Sequence, residues 1–284
     1  MRTVTLSEVR KFFPKRKRDS HKGQNGRVLV IGGSKDLTGA PALAAMAAIA
    51  CLRSGVDLVT VASLEKPAWA ISAYSPDLIV KKLAGREWGQ QHLKTLLKLA
   101  KKADSVLIGN GMGREKATLH MIRRFVQKCR ARMVLDADAL HACRGMKLRP
   151  GTIITPHMKE FEAFSGVKVD GKALSNREAL AKMAAARHRC IVLLKGRIDI
   201  ISDGKKVLLN RTGNARMTVG GTGDLLAGIC TGFLALKAEP LEAAAAAAFV
   251  NGMAGDALLK KVGYTFIASD MAPEIARQVK RILK

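Results

Sequence analysis

The feature that most constrains the fold is a repeated alternation of short, continuously apolar segments with longer helical segments. Segments such as 27–31 (RVLVI) and 190–194 (CIVLL) are almost wholly apolar, so a strand formed there needs cover on both faces. Strands of this kind, separated by helices, form mostly parallel sheets with helices on the two faces. The segments that predict such strands are 27–31, 56–62, 105–109, 132–135, 152–155 and 190–194.

Helices are predicted in the stretches between these strands. Pro41 suits the first turn of one helix, and Gly55 is placed to end it. A late hairpin, 199–202 and 205–209, is joined by Asp203-Gly204 and adds antiparallel strands at one edge. The predicted helices are 41–53, 90–102, 115–129, 158–164, 176–187, 222–236, 241–261 and 269–283.

These elements predict one α/β domain over 1–284, with 1–20 as a basic lead-in segment. The chain has 284 residues and is 48% hydrophobic, which is enough for a large core. Its central sheet is expected to be mostly parallel and covered by helices on both faces, with the antiparallel hairpin late in the chain.

The charge balance is strongly basic, with 49 Lys and Arg against 23 Asp and Glu. The surplus indicates either a positive surface that captures anionic ligands or a basic stripe that binds nucleic acid. The basic residues are dispersed, apart from the run Lys15-Arg16-Lys17-Arg18, and only two Trp and two Tyr are present. Because aromatic residues are not interleaved with basic ones, base stacking is disfavoured, and a non-catalytic nucleic-acid-binding protein is only an alternative.

The five cysteines indicate the cellular compartment. Cys51, Cys129, Cys143, Cys190 and Cys230 are scattered and form no C-x-x-C pair. An odd, scattered set disfavours both a disulfide framework and a zinc site. The N-terminus has no apolar segment of the signal-peptide type, and no apolar stretch is long enough for a bilayer. We therefore expect reduced thiols in a cytoplasmic protein that does not bind a membrane.

The strongest chemical signal is the segment 210–226 (NRTGNARMTVGGTGDLL), where Gly220, Gly221 and Gly223 lead into a helix. Glycines let backbone amides approach an anion, and a helix start presents unpaired N–H groups and a positive dipole end. The segment predicts a phosphate site, but it is not a Walker A loop because no Lys-Ser/Thr pair follows. Asp224 is either a helix cap or a base that takes a proton from an attacking hydroxyl; we favour the base.

Other loops are candidates because ligands of parallel sheets lie at the carboxyl ends of the strands. Lys195 ends a predicted strand and either reaches a phosphate or is an ordinary exposed lysine. His157 follows the rigid Thr155-Pro156 turn and either faces a ligand or only satisfies the start of a helix. Glu160 lies one turn further on, but no third ligand is near this pair, which disfavours a zinc site.

Two further loops are rich in glycine and aspartate. The segment 109–113 (GNGMG) permits close backbone approach to a ligand. Asp136 and Asp138 follow the next strand, and alternation along a strand predicts both side chains on the same side, suited to Mg²⁺ or hydroxyl contacts. Turn and cap roles are the alternative. Gly32-Gly33-Ser34 and Thr38-Gly39-Ala40-Pro41 form another loop on the ligand side.

Taken together, these segments resemble the ADP-dependent NAD(P)H-hydrate dehydratases, a family of the ribokinase-like superfamily. The Gly-Thr-Gly-Asp loop alone indicates only the superfamily. The TGAP, TPHxxEF and GNxxMTVGGTGD segments together are specific to the family. The matching segments stand in family order and span nearly the whole chain, at 21–45, 109–113, 134–140, 154–161, 193–196 and 210–235.

The resemblance implies repair of damaged nicotinamide cofactors. Members of the family remove water from the S-epimer of hydrated NADH or NADPH at the expense of ADP, giving AMP, phosphate and the restored cofactor. The ring hydroxyl is phosphorylated and phosphate then leaves. The resemblance also implies Mg²⁺ with ADP, or ATP, as phosphoryl donor, a homotetramer, and a separate epimerase that supplies the correct epimer.

The resemblance further assigns the site residues, with Asp224 as the catalytic group. The residues implied to bind the nucleotide are Lys195, Gly196, Arg197, Ile198, Asp199, Asn214, Gly220, Gly221, Thr222 and Gly223. The residues implied to bind the hydrated dinucleotide are Ala40, Gly111, Gly113, Asp136, His157 and Asp224.

Two positions depart from the family pattern. Leu37 stands where the family often has Tyr, and Asn251 where a late helix usually has His. The runner-up function is a ribokinase-like small-molecule kinase acting on a vitamin or sugar alcohol, because such an enzyme uses the same anion hole and aspartate. The TGAP and TPH segments favour the dehydratase.

Overall fold

The computed structural model describes residues 2–12, 18–37, 39–168 and 173–283. The described ranges leave out residues 15–17 of the basic run 15–18, and Thr38 of the ligand-side loop. Across the described ranges the strands are β1 (Arg2–Thr3), β2 (Arg27–Ile31), β3 (Leu58–Leu64), β4 (Ile79–Leu83), β5 (Ser105–Ile108), β6 (Arg132–Leu135), β7 (Ile153–Ile154), β8 (Ile191–Leu194), β9 (Asp199–Ser202) and β10 (Val207–Asn210).

Helices separate most of these strands, as the alternating pattern predicts. They are α1 (Leu6–Phe12), α2 (Ala40–Arg53), α3 (Glu65–Tyr74), α4 (Leu93–Ala100), α5 (Lys116–Lys128), α6 (Asp138–Ala142), α7 (Met158–Ser165), α8 (Leu174–His188), α9 (Thr222–Ala235), α10 (Pro240–Val262) and α11 (Ala268–Leu283).

The strands form one sheet in the order β1-β10-β9-β8-β7-β6-β5-β2-β3-β4. Neighbours are parallel except around β9, which is antiparallel to both β8 and β10. The predicted mostly parallel sheet with a late antiparallel hairpin is therefore confirmed. The hairpin lies one strand inside the edge, because β1 pairs with β10.

Helices cover both faces of the sheet, as predicted. Val28 and Val30 of β2 belong to a core with residues of α2, α9, α10 and α11, whereas Leu29 and Ile31 belong to a core with residues of α4 to α8. Successive residues of a strand point to opposite faces, so one continuous apolar strand contributes to both cores.

The helices α2 and α9 are in close contact. A Cβ on Gly228 of α9 would overlap the carbonyl oxygen of Ala47 in α2, and one on Gly232 would overlap Ser54 Oγ. Small residues therefore bring the two helices together, and the Ala-rich composition of α2 serves the same contact.

The sequence pattern missed several peripheral elements. In β4 the residues Lys81 and Lys82 interrupt the apolar run, as is common on edge strands. Within the predicted lead-in segment, β1 extends the sheet and α1 contacts α10 and α11. Within the described ranges, no helix combines the length and hydropathy needed to cross a membrane. All five cysteines are buried and free.

Candidate active site

The candidate site lies at the carboxyl ends of five neighbouring parallel strands. These strands are β2, β5, β6, β7 and β8. The loops with glycine, aspartate, histidine and lysine follow them directly. The first turn of α9 lies beside these strand ends. Asp224 in that turn accepts a hydrogen bond from Asn110, which follows β5.

The glycine loop opens the N-terminus of α9. Gly221 is its N-cap, with φ of +96°, and a Cβ there would lie 2.8 Å from Met46 Cε and 2.9 Å from Ala268 Cβ. Apart from Gly220 itself and its two chain neighbours, no atom of the described residues lies within 4 Å of the Cβ that Gly220 would carry. An open helix start with unpaired N–H groups fits a phosphate. Since Gly221 is the cap, the interpretation of Asp224 as a plain N-cap is not supported.

Asp224 lies in the first turn of α9 and shares a donor with a second carboxylate. Its Oδ1 accepts from Asn110 Nδ2 at 2.7 Å, and the same nitrogen donates to Asp136 Oδ2 at 3.0 Å. Burial and the charge of Asp136 raise the pKa of Asp224 to about 6, although the Asn110 bond and the charge of Lys195 act in the opposite direction. A base with a pKa near the working pH accepts a proton efficiently.

Lys195 extends from the end of β8 into the same cluster. Its ammonium lies 3.3 Å from Asp136 Oδ1 and 3.6 Å from Glu160 Oε2, and its side chain is 19% exposed. Burial lowers the pKa of Lys195, but the two carboxylates outweigh it and the pKa is raised overall. The Cβ that Gly223 would carry lies 3.2 Å from this ammonium. The interpretation as an ordinary exposed lysine is therefore wrong, and a cation stands beside the glycine loop.

His157 is the N-cap of α7 and forms a reciprocal pair with Glu160. The Glu160 amide donates to His157 Nδ1 at 3.3 Å, and the His157 amide donates to Glu160 Oε2 at 2.8 Å. The structure thus shows the helix-start role. The imidazole is 53% exposed at the carboxyl edge, so the predicted ligand contact stays a prediction.

The turn after β8 is held from two sides. Asp199 accepts from the Gly196 amide and from Asn210 Nδ2, each at 3.0 Å. Arg177 of α8 donates to the carbonyl of Ile198 at 3.2 Å, and a Cβ on Gly196 would overlap its guanidinium. Arg197 is exposed. The turn has one defined shape, and its contact with a nucleotide stays a prediction.

Two side chains predicted to bind the nucleotide form hydrogen bonds within the protein, one of them to α10. Asn214 Oδ1 accepts from the Arg216 amide, and its Nδ2 donates to Asp256 Oδ1 at 3.0 Å. Thr222 Oγ1 donates to the carbonyl of Met217 at 2.7 Å. These side chains shape the loop, and their contact with a nucleotide stays a prediction.

Of the predicted substrate residues, Gly111 and Gly113 lie in the loop after β5, and Ala40 is the first residue of α2. A Cβ on Gly111 would overlap Ala40, so the loop after β5 touches the start of α2. The Gly113 amide donates to Asp138 Oδ2 at 2.9 Å. Gly111 and Gly113 thus allow backbone segments of the protein to approach each other closely. Their contact with the substrate stays a prediction.

The expectation that Asp136 and Asp138 point the same way is wrong. The strand β6 ends at Leu135, and Ala137 has φ of +48°, so the alternation of a strand does not continue. Asp138 begins α6 and pairs with Arg114 Nε at 2.9 Å, whereas Asp136 faces the cluster around Asp224.

Sequence reasoning gave no role to Asn110 or Thr155, although both lie in segments it singled out. Thr155 Oγ1 donates to Asp136 Oδ1 at 2.7 Å. The sequence signal for them was a polar residue after the carboxyl end of each strand. This signal indicates the region of the site, but it does not indicate which side chains contact each other.

The two departures from the family pattern differ in their surroundings. Leu37 is 47% exposed. Asn251 is buried, and its Nδ2 donates to the carbonyl of Thr222 at 3.4 Å. Asn251, the departure that lies in α10, therefore contacts the first turn of α9.

Comparison with known proteins gives the family. A family model described as NAD(P)H-hydrate dehydratase matches residues 28–277. An ADP-dependent (S)-NAD(P)H-hydrate dehydratase of Nitrosopumilus maritimus is 39% identical over 283 residues, covering 98% of this chain and 97% of that protein. The chain therefore belongs to the NAD(P)H-hydrate dehydratase family.

Other relatives are longer. The bifunctional NAD(P)H-hydrate repair enzyme of Pyrobaculum aerophilum is 44% identical over 268 residues, which cover 94% of this chain and 53% of that protein. The chain spans about half the length of this and of other bifunctional relatives.

Solved structures agree on the fold. A ribokinase-like superfamily protein of Enterococcus faecalis has a TM-score of 0.84 at 25% identity, covering 99% of this chain and 96% of that chain. An ADP/ATP-dependent NAD(P)H-hydrate dehydratase of Bacillus subtilis, co-crystallised with ATP and Mg²⁺, has a TM-score of 0.83 at 26% identity, covering 99% and 98%. The predicted ribokinase-like fold is confirmed.

Proposed function

We propose that the chain is an ADP-dependent dehydratase of the S-epimer of hydrated NADH and NADPH, restoring the reduced cofactor. The observation that carries the proposal is the Asp224 carboxylate in the first turn of α9, beside the open glycine loop. A base next to an anion hole is what phosphorylation of a hydroxyl requires. The substrate comes from the family, whose Nitrosopumilus maritimus member has nearly the length of this chain and is named for this reaction.

The nucleotide would place its terminal phosphate against the amides of Gly220 to Gly223, with the turn 195–199 along its AMP part. The helix dipole and the ammonium of Lys195 both favour negative charge there. The described residues contain no group of three or more His, Cys, Asp or Glu that could hold a metal ion. We expect Mg²⁺ to accompany the nucleotide as the magnesium–nucleotide co-substrate.

Asp224 would take the proton of the ring hydroxyl as that oxygen attacks the terminal phosphorus of ADP. The bond between this phosphorus and the bridging oxygen breaks, and AMP leaves with its electron pair. In the second step the carbon–oxygen bond of the phosphorylated ring breaks, phosphate leaves, and loss of a neighbouring ring proton restores the double bond. The chain's own groups supply the base and the stabilisation of the transferring phosphoryl group.

The assembly and compartment are part of the same proposal. We expect a homotetramer and a separate epimerase that converts the other epimer of the hydrate. Five buried, free cysteines are consistent with the reducing cytoplasm that we propose.

The test is to incubate the protein with hydrated NADH and either ADP or ATP and to follow the return of reduced-nicotinamide absorbance. We expect recovery with formation of AMP from ADP. The matched control is Asp104→Asn, at the opposite edge of the sheet, where Asp104 accepts from the Arg27 amide at 2.8 Å. It should leave turnover unchanged, whereas Asp224→Asn should remove it.

Two results would contradict the proposal. Absence of recovery with both nucleotides, together with phosphorylation of a thiazole or a sugar alcohol, would make the chain a small-molecule kinase. Tight retention on mixed nucleic acid at near-physiological salt, without nucleotide-dependent activity, would make it a nucleic-acid-binding protein.

A further inference from the structure

The side chain of Asn110 lies between the two carboxylates of the site. Its Nδ2 donates to Asp136 Oδ2 at 3.0 Å and to Asp224 Oδ1 at 2.7 Å, and the residue is fully buried. A primary amide has two N–H donors, so one nitrogen can serve both acceptors. The reverse placement would set the amide oxygen against two carboxylates, so electrostatics fixes which end faces them.

The backbone around Asn110 holds this side chain in place. Gly109 and Gly111 on either side both have positive φ, at +126° and +62°. The Asn110 carbonyl accepts from the Gly33 amide at 2.9 Å, and a Cβ on Gly109 would overlap the carbonyl of Asp136. The loop after β5 is therefore fixed against the loops after β2 and β6, and the amide has little freedom to turn away.

We propose that Asn110 is a positioning residue for Asp224: it holds the carboxylate in the orientation that accepts the hydroxyl proton and offsets the repulsion from Asp136. This inference rests on the proposed function, since it deepens the role of the same aspartate. Thr155 and Lys195 bind the other oxygen of Asp136, at 2.7 Å and 3.3 Å, so Asp136 is anchored independently of Asn110.

The charges around Asp224 determine the expected pH effect. Asp136 faces Asp224 from the end of β6, and Lys195 faces it from the end of β8. Glu160 of α7 in turn faces Lys195, and His157 pairs with Glu160. The donated N–H of Asn110 lowers the pKa of Asp224, and burial together with Asp136 raises it. Removing the donor therefore raises this pKa further, and the base is then protonated up to a higher pH.

The test is the pH profile of kcat for Asn110→Leu, a substitution of similar size without a donor. We expect the acidic limb to move up by about one pH unit, as for loss of a hydrogen bond to a charged group. At pH 9, where Asp224 is ionised in both proteins, kcat should stay reduced about tenfold because the carboxylate is no longer oriented. KM for ADP should change by less than about twofold, because the side chain of Asn110 binds the carboxylates of Asp136 and Asp224 rather than the glycines that face the nucleotide.

The matched control is Asn25→Leu. Asn25 Nδ2 also donates to an aspartate, Asp57, at 3.1 Å, but it lies at the opposite edge of the sheet. This variant should leave the acidic limb unmoved. Thermal unfolding of both variants shows whether they are folded. If Asn110→Leu is not folded, the same pH profile is measured on Asn110→Ala.

A second readout does not depend on turnover. Carbon-13 NMR titration of the Asp224 carboxyl, assigned with Asp224→Asn, should show the same upward shift in Asn110→Leu. An unmoved titration and acidic limb in a folded variant would overturn the inference and leave Asn110 a structural residue. If the wild-type protein does not dehydrate the hydrate, the proposed function fails, and the NMR titration still decides whether Asn110 controls Asp224.

Discussion

Replacing Asp224 by Asn should stabilise the fold while it removes turnover. The pKa of Asp224 is raised from 3.8 to about 6 by burial and by Asp136. A carboxyl that titrates higher in the folded than in the unfolded state opposes folding whenever it is ionised. The native state binds the extra proton between these two pH values, so the penalty grows as the pH rises from about 4 to 6 and is complete above it.

The size of the effect follows from the shift. Two pKa units correspond to about 3 kcal/mol at neutral pH, which is an upper bound because Asn copies the neutral acid only in shape. We expect a gain of about 1–3 kcal/mol at pH 8, or a rise in Tm of roughly 2–6 °C for a chain of this size. At pH 4.5 the folded carboxyl is still protonated while the unfolded one is mostly ionised, so the penalty is only partly developed and the gain should fall to about a third.

The assay is thermal unfolding of wild type and variant at pH 8 and pH 4.5, read as the difference between them at each pH. Turnover of hydrated NADH with ADP is measured on the same samples and should fall by about 10²- to 10⁴-fold. ADP binding should persist, since the glycine loop is intact. An equal gain at both pH values, or a loss of stability at pH 8, would refute the argument that Asp224 is held ionised against its surroundings.

Three further substitutions test the rest of the site. Gly223→Val should place its side chain against the ammonium of Lys195 and weaken ADP binding at least tenfold by titration calorimetry; unchanged affinity would move the phosphate elsewhere. Lys195→Met should remove the cation that faces Asp136 and Glu160, lower Tm, and reduce kcat more than ADP affinity; normal turnover would exclude its role beside the phosphate. His157→Ala should cost about 1 kcal/mol in urea unfolding through loss of the α7 cap, and a larger rise in KM for the hydrate than in KM for ADP would support its predicted contact with the substrate.

Much of the fold could be predicted from local pattern. The apolar runs at β2, β5, β6 and β8 identified buried strands, because a strand covered on both faces has no polar face. The element β4 escaped this reasoning, since an edge strand with exposed lysines needs no apolar run.

The candidate site was predicted only in part. The glycine loop at the start of α9 can be recognised because a helix start and its glycines are local properties of a few residues. The placement of Asp136 and Asp138 was wrong, because the strand β6 ends at Leu135, before both aspartates, and Ala137 between them has a positive φ. Nothing in the local sequence requires that conformation.

By itself, the sequence determined the class of sheet, the family and the glycine loop with its aspartate, which we propose binds phosphate. Only the tertiary structure decided what surrounds that aspartate. Asn110 and Asp224 are 114 residues apart, and Lys195 and Asp136 are 59 apart. Such contacts exist because parallel strands bring distant loops to one edge, and the pKa of Asp224 depends on the charges that meet there.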